Sequence, residues 1–125
     1  MNPETEESLE RVRQISLALP RAAEKLSHGA PVFFIEKGKT FAWFLHDLHG
    51  SGITAVAVKT SGRDEQEMLV ETCPELYYLP PYFASSGWVG LRLDTDDTDW
   101  DHVADRIATS WELVAPKRLL EMGGR

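Results

Sequence analysis

Val32-Phe33-Phe34-Ile35-Glu36, Lys37-Gly38-Lys39 and Thr40-Phe41-Ala42-Trp43-Phe44-Leu45-His46 follow one another without a break. Two runs rich in β-branched and aromatic residues on either side of a short glycine-containing turn predict an antiparallel hairpin. Downstream, Asp47 to Gly52 supplies a second turn and Ile53 to Lys59 a third strand, so the centre of the chain reads as an antiparallel meander. A polar stretch separates this meander from the first segment, Pro3 to Leu19, where Leu9, Val12, Ile15 and Leu19 recur at helical spacing and make one face apolar. Asn2 is placed to cap that helix with Pro3 at its first position, and Leu19-Pro20 ends it.

Beyond the meander, Ser61 is expected to cap a helix from about Gly62 to Glu71, with Met68 and Leu69 facing inward and Cys73-Pro74 closing it. Leu76 to Leu79 fits a short strand and Gly87 to Leu93 a further one. The last helix is expected to be capped by Thr98, with Trp100, Val103, Ala104, Ile107, Ala108, Trp111 and Val114 as its apolar stripe before Pro116. This order predicts an α+β fold: a two-layer sandwich, an antiparallel sheet of four to five strands with the N- and C-terminal helices packed on one face.

At 125 residues the chain is expected to form a single domain, residues 1–125, large enough for one core. No apolar run approaches the roughly 18 residues of a membrane span, and the acidic N-terminus lacks a secretory pattern. With Cys73 as the sole cysteine no intramolecular disulfide can form, which fits the cytoplasm as the expected compartment. The net charge of −7 repels polyanions at long range, so any nucleic-acid contact needs a local basic patch.

Strand alternation sorts the candidate site residues. If Val56, Val58, Val89 and Leu91 face the helices, the other face carries Ala55, Ala57 and Gly90, bordered by Trp88, Arg92 and Lys59. That predicts a shallow hollow with an aromatic wall and two cations, suited to an acidic peptide, a small anionic ligand or a second protomer. The competing structural reading folds the Pro80 to Ser86 loop across it. Lys37 and Lys39 at the hairpin, and Lys117-Arg118, expected at the end of the last helix, are the further candidates for phosphate contacts.

Metal and catalytic motifs are sparse. His46-Asp47-Leu48-His49 lacks a second ligand cluster, and Glu4, Glu6, Glu7 and Glu10 support only a weaker reading as an acidic metal site. Their position at a helix start is equally explained by the helix dipole. No phosphate-cradling glycine loop, His-Glu-x-x-His pair, Cys-x-x-Cys pair or nucleophile elbow is present, so the expectation is a non-enzymatic chain without a cofactor or metal, monomeric or homodimeric.

Several of these segments carry a family resemblance. Gly29-Ala30-Pro31, Gly38-Lys39-Thr40-Phe41-Ala42, Val58-Lys59, Pro80-Pro81-Tyr82-Phe83, Gly87-Trp88-Val89-Gly90 and Ala115-Pro116-Lys117-Arg118-Leu119 occur in the order seen in the MmcQ/YjbR family. The chain resembles that family over roughly residues 8 to 120. The resemblance implies a frataxin-like (CyaY-like) fold and a DNA-binding role. It carries over Lys39, Lys59, Pro81, Tyr82, Trp88, Lys117 and Arg118, with Lys37, Lys39, Arg92, Lys117 and Arg118 expected on phosphates and Tyr82 and Trp88 expected to stack.

Overall fold

Helix α1, Pro3–Leu17, begins as its sequence dictates: the Asn2 side chain accepts the Thr5 N–H at 2.8 Å, Pro3 needs no donor partner, and Glu4 and Glu6 meet the positive end of the helix dipole. In the computed structural model, which describes residues 2–81, 83 and 87–121 (the His49 side chain excepted), the order continues with β1 (Ala22–Ser27), β2 (Ala30–Ile35), β3 (Thr40–His46), a 3-10 turn (Leu48–Gly50) and β4 (Thr54–Lys59). It ends with α2 (Arg63–Thr72), β5 (Tyr77–Tyr78), β6 (Trp88–Arg92), α3 (Trp100–Val114) and α4 (Lys117–Glu121). No helix among the described residues is long and apolar enough to cross a membrane.

The strands form one six-stranded sheet in the order β1-β2-β3-β4-β6-β5, with every neighbouring pair antiparallel. The α+β architecture is as expected, with more strands than expected. The extra one is β1, in the stretch read as polar and irregular. Ala22–Ser27 contains no β-branched or aromatic residue, and it becomes a strand because the two-residue turn His28-Gly29, with φ of 52° and 80°, folds it back onto β2.

Helices α1 and α3 cover one face of the sheet. Leu9 and Val12 of α1 and Val103, Ile107 and Trp111 of α3 meet Phe33, Ile35, Phe44, Val56, Val58, Val89 and Leu91 in a single core. Polar links add to this layer. Arg13 on α1 makes a two-pronged pair with Glu24 on β1 at 2.7 and 2.9 Å, and the Trp111 indole N–H of α3 donates to the Pro20 carbonyl at 3.0 Å.

The central hairpin is irregular in a consequential way. Phe33 pairs with Ala42 but Phe34 with Thr40, so Phe41 is an extra residue on β3, a β-bulge. The Phe41 carbonyl is left for α3: the buried Ser110 hydroxyl donates to it at 2.6 Å and accepts the Lys59 N–H at 2.8 Å. At the hairpin turn the left-handed residue is Lys37 (φ 63°), not Gly38. Gly38 sits in a tight spot instead, since a Cβ there would lie 3.3 Å from the Ile35 carbonyl oxygen.

Local starts and stops differ from expectation where side chains have better uses. Helix α2 has no side-chain cap; Glu65 reaches back to accept the Ser61 N–H at 2.8 Å. Met68 is exposed, while Leu69 packs against the core and Gln66 is the buried polar residue of this helix. Asp99, not Thr98, caps α3 by accepting the Asp101 and His102 N–H groups, because Thr98 is turned to donate to the Leu93 carbonyl at 3.1 Å. Lys117-Arg118 do not end α3: Ala115 leaves the helix in extended conformation, and the pair opens the separate helix α4, whose Leu119 is buried.

Replacing Ser110 with Ala orphans a strand carbonyl and a strand N–H at once, and we expect a loss of about 1–3 kcal/mol of unfolding free energy. Urea denaturation checks this, with the midpoint falling at unchanged slope.

Candidate functional site

The strand register spells out the sheet face opposite the helices. One row runs across all six strands: Lys25, Val32, Trp43, Ala57, Gly90 and Tyr78. Toward the hairpin lie Ala23 and Phe34 at one side and Lys59 paired with Trp88 at the other; toward the opposite end Leu45, Ala55 and Arg92 line up. Trp88, Arg92 and Lys59 thus share the face, as the alternation predicts.

The expected hollow is occupied by the chain itself. The Tyr78 ring lies over Gly90, so close that a Cβ at that position would come within 2.8 Å of Tyr78 Cζ. From the following loop Phe83 packs edge-on against Trp43 (centroids 5.3 Å apart, 78° between planes) and against Trp88 (6.0 Å, 61°). Lys25 places its ammonium 4.7 Å from the centre of the Phe34 ring. Gly90 in the middle row therefore leaves room for an aromatic ring of the chain itself. Phe34, Trp43, Tyr78, Phe83 and Trp88 are neither fully buried nor fully exposed, and the face is a partly covered aromatic surface with lysines at its margins.

Charge is sorted along the strand direction. The hairpin carries the exposed Lys37 and Lys39, and Lys59 ends β4 beside it. Ser110 and Trp111 bring the C-terminal part of α3 to this same end, so α4 with the exposed Lys117 and Arg118 starts there, as does the exposed Arg21 ahead of β1. The acids Glu36 and Glu112, and Asp64, Glu65 and Glu67 of α2, which starts just past Lys59 and is tied to Trp88 through Gln66, also occur at this end. Arg92 stands apart, at the other end of β6. It is bound to Asp94 at 2.9 and 3.2 Å, so its charge is already partnered. Tyr82 lies outside the described residues.

At the opposite end an open cleft of about 630 Å³ separates the start of α1 from the loop entering α3, and Glu4, Glu7, Asp94, Asp96 and Asp97 line it with Arg11, His46 and Trp100. Arg11 stacks 5.1 Å from the Trp100 ring centre. His46 Nδ1 is hydrogen-bonded to the Thr54 hydroxyl at 2.9 Å, and Glu10 is held by Arg13 at 2.9 Å. No group of three or more His, Cys, Asp or Glu among the described residues is arranged to hold a metal ion. The His49 side chain lies outside the description. Both α1 and α3 start at this acidic end, where their dipoles favour the first-turn carboxylates; neither carries a basic residue in its last turn.

Residues 17–113 match the YjbR family. The chain belongs to that family. The crystal structure of Deinococcus radiodurans protein DR2400, described by its domain DUF419, is similar to it at a TM-score of 0.70 with 17% identity, covering 94% of each chain. That likeness speaks for the fold. No curated protein matches the chain.

Within this YjbR-family fold, sequence reading finds Trp88, Lys37, Lys39 and Lys59 but misses Phe34, Trp43 and Tyr78 as companions of Trp88. Period-two alternation does put Trp43 with Leu45 and Phe34 with Val32. The bulge at Phe41 hides which side of one strand matches which side of the other. The acidic cleft is missed as a unit because its walls come from α1, the ends of β3 and β4, and the loop before α3, joined only by the fold.

Two outcomes follow. Gly90→Ala drives a methyl into the Tyr78 ring and is expected to cost about 1–3 kcal/mol, measured by thermal or urea unfolding. Burial raises the Asp94 pKa, but the Arg92 hydrogen bond and the Thr54 N–H outweigh it, and the group titrates below its ordinary value. Its stabilising contribution is therefore present above the unfolded-state value and lost as pH falls below about 4. In Arg92→Ala the carboxyl signal of Asp94, followed by NMR titration, is expected to move up in pH.

Proposed function

We propose that this YjbR-family chain is a non-enzymatic DNA-binding protein of the cytoplasm that meets phosphates with its hairpin end. The observation carrying this reading is the sorting of charge by the sheet: Lys37, Lys39 and Lys59 share an end with Lys117 and Arg118, while the carboxylates of α1 and of the loop before α3 gather at the other end. The net charge of −7 is offset in part, because the carboxylates of the α1 cleft lie the length of the strands away and are screened beyond about 10 Å at 0.1 M salt, while Glu36, Glu112 and the acids of α2 stay near the lysines. The glycine-containing hairpin projects two exposed lysines beyond the sheet, a shape suited to a groove or a phosphate backbone.

The other reading, a small anionic ligand or acidic peptide held in the hollow beside Trp88, has less support because the Tyr78 ring covers Gly90, the floor of that hollow. The acidic metal reading for α1 has Glu10 committed to Arg13, and Glu7 lies 3.9 Å from Arg11.

Fluorescence anisotropy of labelled DNA tests the proposal. Binding is expected to weaken with salt, and Lys37→Gln/Lys39→Gln and Lys117→Gln/Arg118→Gln double variants are each expected to bind less tightly. Each phosphate contact removed lowers the logarithmic salt slope by about 0.9. A Glu4→Gln/Glu7→Gln variant is expected to bind no more weakly than wild type. No binding at low salt, or equal binding by the lysine variants, contradicts the reading.

A further inference from the structure

The helix-free face of the sheet presents Phe34, Trp43, Tyr78, Phe83 and Trp88, none of them fully buried, around a row of small residues. An ordinary second face of an antiparallel sheet is polar where it meets water. Here aromatic rings hold that place, and a partly exposed aromatic patch marks an interaction surface. The cations are arranged around the rings. Lys25 lies at the edge strand, Lys59 is the cross-strand neighbour of Trp88, and the hairpin lysines stand just beyond Trp43 and Phe34.

Rings flanked by lysines on a pleated surface match one chemistry closely: bases stack on the rings while the phosphates that join them run along the lysines. A duplex keeps its bases stacked inside and cannot use the rings; an anionic peptide without bases would use the lysines alone. From this juxtaposition we infer that the aromatic face binds unpaired bases, so that the occupant is single-stranded DNA. Trp43 and Trp88 are the stacking residues, and Lys25 and Lys59 carry the flanking phosphates. The inference rests on the DNA-binding reading above and goes further by assigning a strand state and a second surface. Phe83, wedged edge-on between the two indoles, sets their separation and acts as a positioning residue.

The test compares three labelled probes of equal length on the full chain: a mixed-sequence single strand, its duplex, and a single strand of abasic deoxyribose phosphates. The base-bearing single strand is expected to bind at least about 10-fold more tightly than either of the others. Trp43→Leu and Trp88→Leu are each expected to lose about 5- to 150-fold in affinity for it, with abasic binding unmoved, and Trp88→Phe to restore most of the loss. Equal binding of the abasic and base-bearing strands overturns the inference and leaves phosphate contact at the hairpin standing. Duplex binding as tight as single-strand binding also overturns it, and no binding of any probe removes both readings. If a leucine variant fails to fold, the wild-type comparison of base-bearing with abasic strand decides alone.

Discussion

The Ser110 hydroxyl occupies the place where the β3–β4 ladder would otherwise continue. The bulge at Phe41 takes a strand carbonyl out of register, and the hydroxyl restores a path from that carbonyl to the Lys59 N–H, so one side chain of α3 is built into the hydrogen bonding of the sheet. Among the polar contacts between helices and sheet this one is fully buried as well as directional. Together with the hydrogen bond between His102 and the Tyr77 hydroxyl it sets where α3 lies along the strands, and therefore where α3 ends and where α4 begins. The Trp111 indole one residue on, donating to Pro20, ties the same turn of helix to the link between α1 and β1.

Polarity of charge follows from this alignment. Both long helices start at one end of the sheet and finish at the other, so their dipoles add, and the carboxylates of Glu4, Glu6 and Asp101 sit in first turns where that field favours them. Lysines at the hairpin and the start of α4 occupy the complementary end. The first-turn carboxylates satisfy local helix stability, whereas Lys117 and Arg118 open α4 against its dipole, so the cations at the hairpin end are not there for the helices.

How much of this is legible in the residues depends on how local each signal is. The hairpin, the meander, the cap at Asn2 and the apolar stripe of α3 are written in neighbouring residues. So is the segregation of Val56, Val58, Val89 and Leu91 from Ala55, Ala57 and Gly90, because alternation within a strand needs no partner. By contrast, Ala22–Ser27 becomes a strand only through its turn and its neighbour. Thr98 and Asp99 are both good caps, and the contact of Thr98 with Leu93 decides between them. The small residue at Gly90 signals close approach, but only the tertiary structure shows that the group approaching there is the Tyr78 ring. For the site, the basic residues can be found singly; their convergence, and the separation of Arg92 from them, depends on strand order.

An amide chemical-shift map of the protein titrated with a single-stranded DNA oligonucleotide tests the central claim most directly, that the sheet sorts one end of this acidic chain into a phosphate-contacting surface. The account predicts perturbations concentrated on residues 25, 36–43, 58–60, 88 and 115–119, with the cleft formed by α1 and the loop before α3 unmoved. Perturbations centred on that acidic cleft, or none anywhere at low salt, would contradict it.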